Sequence, residues 1–121
     1  GVDIIEIERI KELMERKGAR LEGRVFTPAE LRRAEGGHYE RLAARLAAKE
    51  AVSKALGTGI RGMAWADIEI VEDELGKPSV VLHNRAREVA EGLGVGKVLV
   101  SLSHCDSFAI SFAIALDKAE S

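Results

Sequence analysis

The sequence predicts an α+β domain in which an antiparallel sheet packs against one long central helix. Three observations predict it. The segment from Tyr39 to Leu56 has helical periodicity and is apolar nearly all round, which places it centrally rather than at the surface. Phe108, Ile110, Phe112 and Ile114 alternate with Ala109, Ser111, Ala113 and Ala115, a strand period with both faces suited to burial. Gly76-Lys77-Pro78 turns the chain between two short runs, Asp67 to Ile70 and Ser79 to Leu82, that read as strands.

The remaining elements follow in order. Val2-Asp3-Ile4-Ile5 reads as the end of a strand. Ile7, Ile10, Leu13 and Met14 then recur at helical spacing, on a helix that also carries Arg9, Lys11, Arg16 and Lys17. Thr27-Pro28 with Glu30 is a capping box opening a second helix, and Phe26 with Leu31 can form its hydrophobic staple. Gly36-Gly37 ends that helix. On the third, Ala44, Ala47, Ala48, Ala51 and Ala55 share one face, so a neighbouring element can approach closely. Asn84 is expected to cap a fourth helix with an inner face of Ala86, Val89, Ala90 and Leu93. Lys97 to Ser103 is a strand, and His104 to Ser107 a turn.

Composition excludes several classes. The 121 residues fit one domain, expected to span 1–121. A formal net charge of −2 and only 4% aromatic residues argue against a nucleic-acid partner. No run approaches the roughly 20 apolar residues of a membrane span, and no signal-peptide pattern opens the sequence. Cys105 is the single cysteine and has no internal disulfide partner, which points to a reducing, cytoplasmic setting.

Several residues can carry chemistry. Asp3 lies in an apolar strand end, where a lone carboxylate is costly to bury. It either caps the first helix or supplies a hard oxygen ligand for Mg²⁺. Glu50 either pairs with Lys54 in the favourable i, i+4 order or is a second carboxylate for the same cation. Arg45, Lys49 and Lys54 form a solvated edge or a set of phosphate partners. Gly57-Thr58-Gly59 reads as a helix C-cap and lacks Walker-loop spacing. His104 and Cys105 have no zinc-site spacing, and sequence neighbours seldom make a nucleophilic couple.

Three stretches together resemble the holo-acyl-carrier-protein synthase family. They are Gly1 to Ile10; Phe26-Thr27 with Glu30 followed by Arg45 to Gly59; and Gly76-Lys77-Pro78 followed by Val100 to His104 and the alanine-rich last strand. The family's first strand begins several residues earlier, but Asp3 is retained. The resemblance implies a 4'-phosphopantetheinyl transferase-like fold and transfer of 4'-phosphopantetheine from coenzyme A to a serine of apo-acyl-carrier protein, releasing 3',5'-ADP. It implies Asp3 and Glu50 as Mg²⁺ ligands and Lys54 near the phosphates being split. It further implies Arg45, Lys49 and His104 at the phosphates or adenosine end of coenzyme A, and Arg9 at the carrier protein. Members of this short type are homotrimers with sites between subunits, acting in fatty acid and lipid biosynthesis in the cytoplasm.

Two other readings stand beside it. One is a non-catalytic carrier-protein or nucleotide-binding module. The other is a Mg²⁺-dependent hydrolase that splits coenzyme A without a carrier.

Overall fold

The computed structural model describes residues 1–119. The chain runs through β1 (Val2–Glu6), α1 (Ile7–Lys17), a 3-10 turn (Gly18–Leu21), α2 (Pro28–Arg33), α3 (Tyr39–Ala55) and a second 3-10 turn (Trp65–Asp67). It continues through β2 (Ile68–Glu72), β3 (Pro78–Leu82), α4 (Asn84–Gly92), β4 (Val95–His104) and β5 (Phe108–Asp117). The strands form two antiparallel sheets rather than one, β1-β5-β4 and the hairpin β2-β3. No described helix is long and apolar enough to cross a membrane.

α3 is the central element that its pattern predicts. Ala47, Ala48 and Ala51 are fully buried, and one helix contributes to two apolar clusters. Toward α4 and the β2-β3 hairpin, Val52 and Leu56 meet Ile68, Ile70, Ala86 and Ala90. Toward α1 and α2, Leu42 and Ala43 meet Ile10, Leu21 and Phe26. β1 and β5 cross the alanine face, and β5 meets it with its own small residues, Ala109, Ser111 and Ala113, all buried.

Close approach is clearest at Gly1. A Cβ there would overlap the Ala51 carbonyl oxygen and lie 2.9 Å from Ala55 N. Gly1→Ala should therefore force β1 off α3 and lower stability by about 1–3 kcal/mol, as overpacking commonly does. Denaturant unfolding checks this, and an unchanged midpoint would count against so tight a contact.

Capping holds at α2. Thr27 Oγ1 accepts from Glu30 N at 3.2 Å, and Thr27 N donates to Glu30 Oε1 at 2.9 Å. The expected cap from Asn84 is not made. Its backbone is left-handed, with φ 48°, and its side-chain amide donates to Asp67 Oδ1 at 3.1 Å instead.

The alternation in β5 resolves into an inside and an outside. The alanines and Ser111 face α3, and Phe108, Ile110, Phe112 and Ile114 face outward. Register places Val2 opposite Phe112, Ile4 opposite Ile110, and Leu99 opposite Ile114. The result is an open apolar sheet face whose members are 42–59% exposed.

Candidate active site

Strand pleat and helix period bring two distant carboxylates together. In β1, Val2 and Ile4 point outward, so Asp3 points to the α3 side. Its side chain is 11% exposed, and Oδ1 accepts from Lys54 Nζ at 3.0 Å. Lys54 Nζ also donates to the Val2 carbonyl at 3.0 Å, so this lysine ties β1 to α3. The i, i+4 pair with Glu50 is thus replaced by a pair with Asp3. Nor does Asp3 cap α1, whose N-cap Glu6 makes no side-chain cap bond.

The Glu50 carboxyl lies against Asp3. Burial, reinforced by the neighbouring Asp3 carboxyl, pushes its pKa up to about 7, while Lys54 and Arg9 oppose the shift. Asp3 Oδ2 is buried with no hydrogen-bond partner. Lys54 meets only Oδ1 of Asp3, so the orphaned oxygen and the second carboxyl, which resists ionisation, leave negative charge incompletely offset. A hard divalent cation fits it, since Mg²⁺ takes one or two carboxylates plus substrate phosphate oxygens and waters. Among the described residues no third Asp, Glu, His or Cys joins the pair. The carboxyls open into a cavity of about 400 Å³, also lined by Arg9, Glu12, Arg16 and Leu46.

A second cavity, of about 250 Å³, brings Arg41, Arg45 and His104 together with Gly76 and Pro78. Arg45 is buried. Its Nη2 donates to Glu72 Oε1 at 2.7 Å, Nη1 donates to the Arg41 carbonyl at 3.2 Å, and Nε has no partner. The two cavities share no lining residue. Arg45 and Glu50 lie about 140° apart around α3 at the helical 3.6 residues per turn. Within one chain, then, the carboxylates and the Arg45–His104 group do not converge.

Lys49 is the correction. Expected at the phosphates, it is fully buried and faces neither cavity. Its Nζ donates to Glu30 Oε1 at 2.8 Å, to the Ile68 carbonyl at 2.5 Å and to the Trp65 carbonyl at 3.3 Å. These use all three ammonium protons, leaving none for a ligand. Sequence reading assigned Glu30 to the capping box but missed its second role as the partner of Lys49. The usable signal was a lysine on an apolar helix face that demanded a buried anion. Cys105 is exposed in the β4-β5 turn, where its backbone N–H bonds to Phe108.

Comparison with known proteins identifies the family. The profile of the ACPS, 4'-phosphopantetheinyl transferase superfamily matches residues 1–113. The chain belongs to that superfamily. This transferase is 52% identical over 116 residues to the holo-[acyl-carrier-protein] synthase of Moorella thermoacetica, covering 94% of this chain and 90% of that one. Its fold is similar to the Neisseria meningitidis holo-[acyl-carrier-protein] synthase, with TM-score 0.86, 37% identity and coverage of 97% and 96%. It is also similar to the Helicobacter pylori holo-[acyl-carrier-protein] synthase in complex with coenzyme A, with TM-score 0.85, 28% identity and coverage of 96% and 98%. The transferase thus has an α+β architecture found in proteins of that name, and its carboxylate pair sits where β1 meets the central helix.

Proposed function

We propose that the chain is a Mg²⁺-dependent holo-acyl-carrier-protein synthase, a single transferase domain over 1–121. It moves 4'-phosphopantetheine from coenzyme A to a serine of apo-acyl-carrier protein and releases 3',5'-ADP. The cytoplasm and fatty acid and lipid biosynthesis are its setting. The observation that carries this reading is the Asp3–Glu50 pair with its orphaned oxygen.

Asp3 and Glu50 would hold the cation, which when bound supplies positive charge at the coenzyme A diphosphate. The carrier serine Oγ attacks the β-phosphorus. An Oγ–P bond forms as the P–O bond to 3',5'-ADP breaks, and the serine proton passes to a Glu50 or Asp3 carboxylate or to water beside them. Lys54, half exposed next to Asp3, offsets charge on the leaving phosphate. Asp3 itself is held by Lys54, so the same contact orients a ligand oxygen. No protein nucleophile is required, consistent with an incidental Cys105.

A homotrimer with sites between subunits completes the reading. Its support is the open apolar face of β1-β5-β4, of a kind that monomers rarely leave uncovered. Association would let Arg45 and His104 of one subunit bind the phosphate or adenosine end of a coenzyme A molecule whose diphosphate lies at Asp3 and Glu50 of the next.

α1 is the carrier-docking element. Only Ile10 on it is fully buried, while Arg9, Lys11, Arg16 and Lys17 are exposed, and Arg9 and Arg16 border the carboxylate cavity. Arg9→Glu is expected to weaken carrier binding by about tenfold and, because Arg9 also borders the carboxylate cavity, coenzyme A binding by clearly less. Equal loss of both would remove Arg9 from the docking surface. The activity itself is tested by incubating the chain with apo-carrier protein, coenzyme A and Mg²⁺, then weighing the carrier. A transferase adds the phosphopantetheinyl mass. A binding module leaves the carrier and coenzyme A unchanged, and a hydrolase consumes coenzyme A alone.

A further inference from the structure

The face of α3 that lets β1 and β5 come close is built of alanines, and such a face is smooth. It fixes distance but offers few knobs to fix the rotation of the helix about its axis. Rotation matters next to the site. A turn of about 20° moves an atom at the helix periphery, about 5–6 Å from the axis, by about 2 Å. A cation site tolerates only about 0.2 Å.

One residue before Glu50, Lys49 adds a polar register that the alanine face does not supply. Its ammonium is pegged to three segments: to α2 through Glu30, to the second 3-10 turn through the Trp65 carbonyl, and to β2 through the Ile68 carbonyl. Glu30 is held in turn by Thr27 N at 2.9 Å and Ile70 N at 3.0 Å. Every polar atom of the pair has a partner, and both side chains are at most 1% exposed. Buried ion pairs are poor sources of net stability, and register is their best-attested use.

We infer that Lys49 is a positioning residue for the active site, setting the rotation of α3 so that the Glu50 carboxyl is held against Asp3. This rests on reading that pair as a cation site. Other tethers, Lys54 to Asp3 and Arg45 to Glu72, leave one partner substantially exposed. Among the described residues, the Lys49–Glu30 node is the ion pair anchored wholly inside.

The test is cation affinity, which a purely structural residue would leave alone. Mn²⁺, an oxygen-seeking stand-in for Mg²⁺, is titrated into the full chain holding coenzyme A without carrier, and free Mn²⁺ is read by electron paramagnetic resonance. Lys49→Met and Glu30→Gln attack the peg from opposite ends, so either variant that folds suffices. Each should weaken Mn²⁺ binding by about tenfold or more, the range seen when groups behind metal ligands are lost. Leu82→Ala, a truncation on β3 of a side chain packed against the same core but bonded to neither Lys49 nor Glu30, should stay within about twofold of the parent. Folded Lys49 or Glu30 variants that match Leu82→Ala would overturn the inference while leaving the cation site standing. If instead the parent holds no Mn²⁺ and Glu50→Gln changes nothing, the cation-site reading fails and this inference falls with it.

Discussion

Glu50→Gln should all but abolish phosphopantetheine transfer, lowering kcat/KM by about 10²–10³-fold, the scale of several kcal/mol of lost charge stabilisation. Glutamine keeps the size of the side chain and removes its capacity to ionise. A second consequence separates this from a folding defect. In the folded protein the Glu50 carboxyl is raised to about 7 from an ordinary 4.5. A carboxyl raised by folding contributes stability that is complete below its unfolded pKa and is lost as pH rises through the folded value. The metal-free parent should therefore lose stability between about pH 4.5 and 7, because ionised Glu50 is both desolvated by burial and set beside Asp3. The variant should lack that loss and be the more stable protein at pH 8. Added Mg²⁺ should stabilise the parent and not the variant. Cation affinity of the parent should rise with pH up to about 7 and then level, because the proton on Glu50 must leave before an ion binds. Thermal unfolding at pH 5 and pH 8, with and without Mg²⁺, reads all of these. A variant less stable than the parent at pH 8 without metal would mean that the carboxylates do not oppose each other.

Phe112→Glu is the second large effect. Phe112 is half exposed at the middle of β5, opposite Val2 on one side and Ser101 on the other. In an isolated chain a carboxylate there stays solvated, so the fold should survive. In an assembly that covers this face it would be buried without a partner, at an effective penalty of several kcal/mol per subunit. Light scattering should find trimers for the parent and single chains for the variant. Transfer should fall by about 10²-fold or more, since Arg45 and His104 could no longer reach a neighbour's carboxylates. A single-chain variant with full activity would place the whole site within one subunit.

Local features of both fold and site were legible where local chemistry decides them. The Thr27–Glu30 box starts α2 because the groups that satisfy each other are three residues apart. α3 is legible because no surface stripe can be drawn on a helix apolar all round. Asn84 misled for the converse reason. An asparagine suits both a cap and a left-handed residue, and its bond to Asp67 depends on a segment outside its own helix. Lys49 was misplaced because a lysine in a charged, alanine-rich run reads as exposed until Glu30 is folded beneath it.

By itself the sequence determined which residues share a helix face or strand face and where α2 begins. Helical and pleat periods are properties of a single segment. Only tertiary structure decided that Asp3 meets Glu50, that Lys49 turns inward, and that the large face of β5 is the outer one. A period divides an element into faces but does not say what covers each face. In this chain the covering elements come from segments distant in sequence.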